Sequence, residues 1–252
     1  MLRRSIRQLV PRRYRMSTLL HAEILKRCRG HVYQGPFRGM AWPAHNYAAV
    51  WSPKILGTYE LELAASLQRF LENDIDTAVV VGGAEGYYAV GLASQDAVKR
   101  VVAFEPSPDA RRVMADMAQR NAVASKLAIK SVCDMGSLRT SLAAAPNSFL
   151  VMDIEGGEAI LLDPLEISPL KKIPVMVELH EFAVPGVSDL IRQRFEDTHD
   201  IDEIRARPRR VADFPLTMKG WRRRLMEGAA IQAMAEYRPP GMAWFVMTPH
   251  VT

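Results

Sequence analysis

The chain has 252 residues, 48% of them hydrophobic, enough for one large α/β domain with a substantial core. Two cysteines, Cys28 and Cys133, cannot build a disulfide framework, no CxxC or Cys/His cluster points to structural zinc, and no apolar run approaches the roughly 18 residues that cross a bilayer, so a reducing, cytoplasmic setting is expected. The formal charge of +5 is uneven: residues 1–30 carry nine Lys/Arg against one acid and residues 205–252 nine against three, while residues 31–204 carry fifteen against twenty-four, and basic flanks around an acidic body argue against nucleic acid as partner.

The first segment, MLRRSIRQLVPRRYR, mixes clustered arginine with Leu, Ile and Val. That composition suits an interfacial helix on anionic lipid, so peripheral membrane contact is one expectation and a solvated terminus the other. The segment lacks the apolar core of a secretory signal, and its Arg-rich, acid-poor character overlaps with that of organellar transit peptides. Trp42, His45 and Trp51 lie in a Pro/aromatic stretch that is expected to pack over the core, with sugar stacking as the alternative. Residues 1–54 therefore read as a basic and aromatic extension ahead of a main domain at 55–252.

From there the pattern alternates. Apolar runs rich in β-branched residues at 77–81, 100–104, 127–132, 148–152, 175–179 and 242–247 predict strands, and helical-period stretches at 86–94, 109–121, 157–162 and 187–197 separate most of them. Strands alternating with such helices imply right-handed crossovers and a doubly wound, mostly parallel α/β sheet. A helical stretch at 225–237 and the strand GMAWFVMT are expected to close it with an antiparallel hairpin. The second basic stretch, IRARPRRVADFPLTMKGWRRR, reads as a solvated face, with a lid that recognises phosphate or carboxylate as the alternative. Ligands of such sheets bind beyond the carboxyl ends of the strands, so the last residues of each strand carry the weight.

The first strand runs into VVVGGAEGYY, where Gly82, Gly83 and Gly86 fit GxxxG and not the GxGxxG of a nicotinamide dinucleotide fold. Glu105 ends the second strand in VVAFEP, where a carboxylate can accept from both hydroxyls of a ribose. A glycine loop with such an acid implies an adenosine-bearing ligand; a tight turn with a solvated Glu is the plainer reading. Asp134, in SVCD, is placed to meet an exocyclic amine on an adenine edge. The fourth strand runs straight into Asp153, Glu155 and Glu158 in FLVMDIEGGEAIL, and the fifth, PVMVELHE, ends with Glu178 and His180 on one side and Leu179 on the other. If these strands are neighbours, about 4.8 Å apart, Asp153, Glu178 and His180 project over the same sheet edge. Burying several carboxylates there is costly unless cations or donors meet them, so something positive is expected to bind.

VVVGGAEGYYAVGLA, VVAFEPSP, FLVMDIEGGEAILLD and VMVELHE, in this order, resemble the class I S-adenosylmethionine-dependent methyltransferases, and specifically the FkbM-type group, over about residues 55–182. The resemblance implies a Rossmann-like class I methyltransferase fold and S-adenosyl-L-methionine as cofactor. It implies close backbone approach along Gly82, Gly83, Ala84, Glu85, Gly86 and Tyr87, ribose binding by Glu105, and an adenine contact at Asp134. Tyr59, beside Thr58 and Glu60, is a candidate for covering the methionine end; an ordinary helix start with Thr58 as cap is the alternative. The implied reaction is O-methylation of a hydroxyl on a sugar, glycolipid or secondary metabolite, so the partner is a small-molecule or glycan acceptor. Its proton would go to His180 as general base, supported by Glu181 or Glu178, or be acidified by a divalent metal such as Mg²⁺ on Asp153 and Glu178. Val80 stands where such enzymes often carry an acid, which keeps a catalytically inactive cofactor-binding relative as the alternative.

Overall fold

The computed structural model describes residues 16–42, 50–145, 147–217, 221–239 and 241–250. In chain order the elements are α1 (Met16–Cys28), α2 (Trp51–Leu56), α3 (Ala64–Phe70), β1 (Ile75–Val81), α4 (Tyr87–Ala93), β2 (Val98–Phe104), α5 (Pro108–Arg120), β3 (Leu127–Lys130), α6 (Met135–Ala143), β4 (Ser148–Met152), α7 (Glu158–Leu161), β5 (Val175–Leu179), α8 (Val187–Phe195), β6 (His199–Arg205), α9 (Trp221–Ala233) and β7 (Ala243–Pro249). They divide into two units, one made of Met1–Leu61 with Arg207–Tyr237 and the other of Glu62–Ala206 with Arg238–Thr252. The chain returns to the first unit between β6 and β7. No helix among the described residues is long and apolar enough to cross a membrane.

The larger unit is built on a seven-stranded sheet of order β3-β2-β1-β4-β5-β7-β6. Strands β1 to β5 are parallel, and β7 runs antiparallel to both β5 and β6. This is the doubly wound, Rossmann-like α/β arrangement expected from the alternating pattern. The order reverses at β1, which pairs with β2 on one side and β4 on the other, so the switch point lies beyond Val81 and Met152. One sheet face, with Val79, Val81, Phe104, Leu150, Val175, Val177 and Phe245, packs on Leu138 and Leu142 of α6, Leu161 of α7, and Val187, Ile191 and Phe195 of α8. On the other face Phe70 of α3 lies against Phe149 of β4, ring centroids 5.0 Å apart. Central strands buried on both faces explain why their sequences are near-continuous apolar runs.

Three elements depart from the sequence expectation. Strand β6, HDIDEIR, is polar because it is an edge: each residue pairs with β7, and its charges face solvent, which discourages pairing with a second sheet. The closing pair is antiparallel, but residues 206–242 separate its strands and β7 inserts between β5 and β6. Strand β3 stops at Lys130, leaving Val132 exposed, and α6 follows under a capping box in which Asp134 accepts from Ser137 N–H (2.7 Å).

In the smaller unit, α1 contributes buried Leu20, Ile24 and Cys28, and α2 contributes Ile55 and Leu56. His21 lies against Trp51 (4.2 Å between centroids), and Ser52 donates to the Ala233 carbonyl (2.6 Å). Trp42 is buried, with the Lys54 ammonium 5.8 Å from its ring and 4.7 Å from that of Tyr59. Packing, as expected for Trp42 and Trp51, is thus what the described residues display; His45 and residues 1–15 lie outside them. Thr58 does not start a helix: it follows α2 after the left-handed Gly57, and its hydroxyl donates to Pro53 O (3.4 Å). The basic stretch is matched by acids within the unit, Arg207 with Asp213 and Arg209 with Glu236. Arg207 hydrogen bonding holds the Asp213 carboxyl down at about 2. The residues at 218–220 and the side chains at 221–225, Trp221 among them, lie outside the described set.

His199, at the start of β6, is buried; its Nε2 donates to Ile173 O (3.0 Å), its Nδ1 lies 2.9 Å from the Thr198 hydroxyl, and the ring packs edge-on to Phe195. Burial pulls its pKa below the usual histidine value. A group depressed in the folded state contributes stability above its unfolded pKa, about 6.5, and loses that contribution as pH falls through the folded value. Chemical denaturation of wild type and His199→Gln across pH 7.5 to 5 should show a shallower acid loss of stability in the variant; parallel curves would contradict this.

Candidate active site

The glycine loop is built by collision avoidance. Asp153 N–H donates to Val81 O (2.9 Å), so the first residue after β4 runs alongside the end of β1. A Cβ on Gly82 would lie 1.7 Å from the Asp153 carbonyl oxygen, and its φ of +87° is one that side chains rarely adopt. Gly83 and Gly86 are closed off by Met114 of α5, whose side chain would lie 2.6 and 2.8 Å from an added Cβ. The loop's N–H groups at Gly82 and Gly83 both donate to Phe104 O (3.0 and 2.9 Å), stitching it to the end of β2.

Glu105 follows immediately and is buried. Its Oε2 accepts from Ala84 N–H (2.8 Å) and its Oε1 from Ser107 N–H (2.8 Å), while Arg111 donates to the Glu105 carbonyl (2.7 Å). The carboxylate is therefore fixed against the loop, with each oxygen accepting one N–H and retaining a lone pair. Glu85 and Tyr87 are buried at the start of α4, the Tyr87 ring edge-on to Tyr88. Val80 is buried between Ala103 of β2 and Val151 of β4. Asp134 is exposed and serves as the cap of α6; the Ser137 N–H holds its carboxyl below the usual range. Tyr59 belongs to the smaller unit.

Across the switch point, Asp153, Glu178 and His180 each present a ligating atom within 4.8 Å of the others, as strand alternation predicts for β4 and β5. What supports His180 differs from the expectation. Its Nδ1 lies 2.6 Å from Glu158 Oε1, so its hydrogen-bond partner is Glu158 and not Glu181 or Glu178, and its Nε2 lies 3.5 Å from Asp153 Oδ1. Glu181 is exposed and accepts from Gly186 and Ser188 N–H (2.7 and 2.8 Å), capping α8; the Ser188 bond holds its pKa down. Glu178 is paired with Arg238, whose guanidinium lies 4.7 Å from the centroid of the Trp244 ring, and Trp244 is the residue opposite Glu178 across the β5–β7 pair.

The site grades from open to closed. The Asp153 side chain keeps 39% of its surface, His180 4% and Glu158 none. Desolvation raises the Asp153 pKa against the opposing charges of His180 and Arg238 and a hydrogen bond with Glu178. For His180 burial pulls down, but the Glu158 bond and charge, with Asp153 and Glu155, outweigh it and the pKa rises. At the rim Phe182, 61% exposed, lies edge-on to His180 with centroids 5.5 Å apart.

No family model and no curated protein sequence matches the chain. Solved structures do. One is precorrin-8W decarboxylase of Methanobacterium thermoautotrophicum, 18% identical over 75% of this chain and 89% of that one, with a TM-score of 0.45. A second is an rRNA methylase from Streptococcus thermophilus, 10% identical over 75% and 96%, TM-score 0.45. A third is M. capricolum TrmK in complex with S-adenosyl-homocysteine, 9% identical over 72% and 66%, TM-score 0.41.

Sequence reasoning brought Asp153, Glu178 and His180 to one edge, but it did not assign Glu158 or Arg238. Glu158 was visible as the last acid of DIEGGE; Arg238 had no local signal, since its partner is 60 residues away. Removing Arg238 leaves Glu178 charged at a buried position, so Arg238→Met should lower stability by about 3 kcal/mol. Adding Glu178→Gln should recover most of that loss in the denaturation midpoint; no recovery would remove the pair from the account.

Proposed function

We propose that this chain is an S-adenosylmethionine-dependent methyltransferase that acts on an acceptor hydroxyl. The observation that carries the reading is the Ala84 N–H bond to Glu105 (2.8 Å), which joins the glycine loop to the carboxylate ending β2 beside the switch point. Residues 82–87 contain no Lys or Arg, so the loop suits a ribose and a cationic sulfonium better than a polyphosphate. The lone pairs retained by Glu105 fit two ribose hydroxyls, and Gly82 to Gly86 would meet the rest of the cofactor through backbone. When bound, the cofactor supplies an electrophilic methyl group on sulfur.

Exposure divides the remaining roles. Asp153 is the acidic group that an acceptor reaches from outside, and desolvation raises its pKa, which makes its carboxylate a stronger proton acceptor than a solvated one. His180 stands behind it, so the histidine takes the proton at second hand rather than from the acceptor. The Glu178–Arg238 pair holds the flank of Asp153 in place. Phe182 offers a ring to a sugar or other partly apolar acceptor, in keeping with the glycan or metabolite hydroxyl that the FkbM-type resemblance implies. A second reading, a divalent ion on Asp153, Glu178 and His180, is favoured by their mutual approach within 4.8 Å.

Calorimetric titration should give a single site for S-adenosylmethionine, and Glu105→Gln should weaken it roughly tenfold, about 1.4 kcal/mol; no heat with this cofactor and heat with another nucleotide would sink the reading. In a radiolabelled methyl-transfer screen over hydroxyl acceptors, Asp153→Asn should lose turnover while keeping cofactor affinity. Activity that survives a chelator removes the metal reading, and binding without transfer in any assay leaves a cofactor-binding relative of the fold.

A further inference from the structure

Glu158 is the most enclosed ionisable group at the site, with no exposed side-chain surface. The turn that brings it there passes through two consecutive left-handed residues, Glu155 (φ 48°) and Gly156 (φ 108°). Folded back beneath the end of β4, its Oε2 accepts from Gly156 N–H (2.7 Å), and its Oε1 accepts from Ile154 N–H (3.4 Å) while facing His180 Nδ1 at 2.6 Å. Each of its oxygens thus faces a donor, and the backbone N–H groups can only donate. An ionised carboxylate satisfies all three contacts, and it requires the hydrogen of the imidazole to sit on Nδ1. Nε2 then points toward Asp153, 3.5 Å away.

We propose that Glu158 is a positioning residue: its buried carboxylate fixes His180 in the Nδ1–H form and holds the ring so that Nε2 faces Asp153 as an acceptor. The inference rests on the methyl-transfer reading for its purpose, though not for its geometry. A proton that leaves the acceptor oxygen for Asp153 then has a lone pair waiting at Nε2. As it moves, the Asp153 O–H bond breaks and the His180 N–H bond forms, leaving an imidazolium between two carboxylates. In a neutral histidine with the opposite tautomer, Nε2 would carry hydrogen and this route would be closed. A carboxylate behind a histidine is a general means of choosing its tautomer, and here the chain provides it from the same loop that bears Asp153.

The test is the ring nitrogen spectrum of His180 in ¹⁵N-histidine-labelled full-length protein, assigned by loss of its signals in His180→Gln. At alkaline pH, where the ring is neutral despite the neighbouring carboxylates, wild type should show hydrogen on Nδ1 and a free Nε2. Glu158→Gln, which keeps size and removes charge, should give mixed or Nε2–H tautomers, with Glu158→Asp returning toward wild type. S-adenosylmethionine affinity should stay within about twofold in both variants. A neutral ring with hydrogen on Nε2 alone in wild type at that pH, or an unchanged tautomer in Glu158→Gln, overturns the proposal; the wild-type spectrum decides alone should the variant not fold. Failure of the cofactor to bind wild type would instead strike at the methyl-transfer reading and leave the tautomer result standing.

Discussion

The space that a side chain at residue 82 would need is already filled by the carbonyl oxygen of Asp153. From this one exclusion the arrangement of the site follows. Because β1 and β4 are adjacent and in register up to Val81 and Met152, their continuations must pass each other at once, and only glycine allows it. The loop is thereby pressed toward β2, where it meets Glu105, and Asp153 is left at the edge of the sheet. A glycine turn and an acidic centre sit side by side because two backbones compete for the same volume.

The second constraint is electrostatic. Three carboxyl groups converge beyond β4 and β5, and each is answered differently: Glu158 by backbone N–H groups and an imidazole, Glu178 by Arg238, and Asp153 by His180 and the opening itself. Burial without such partners would be prohibitive. The least enclosed member is also the one whose counterpart lies farthest, at 3.5 Å, so unsatisfied acidity is concentrated where a substrate could arrive. The deeper groups hold that member's surroundings fixed.

Much of this frame was legible in the chain. The apolar runs at 148–152 and 175–179 coincide with β4 and β5, because strands buried on both faces leave continuous hydrophobic stretches. Alternation along β5 put Glu178 and His180 on one side, and their meeting with Asp153 followed from strand adjacency. The polar edge strand β6 was not legible, since HDIDEIR forms a strand only through pairing with β7. Nor was the start of α6, whose nine residues carry little periodic signal and rely on the Asp134 cap. The alternative that Thr58 opens a helix failed because α2 ends there at the left-handed Gly57. At the site, the partner of His180 was misassigned to a sequence neighbour; the actual one depends on a left-handed turn at Glu155 and Gly156, which local pattern does not encode.

The placement of β7 bears on when the centre becomes complete. This strand follows the other six of the sheet in the chain, yet it lies inside the sheet, and Arg238 precedes it by only a few residues. Until it docks, β5 has an unoccupied side and Glu178 lacks that guanidinium. Maturation of the charge balance is thus tied to a pairing of high sequence separation, the kind that forms late and slowly. A nascent or C-terminally shortened chain could assemble β1 to β5 with the glycine turn intact and still hold an acidic pocket awaiting its counter-charge.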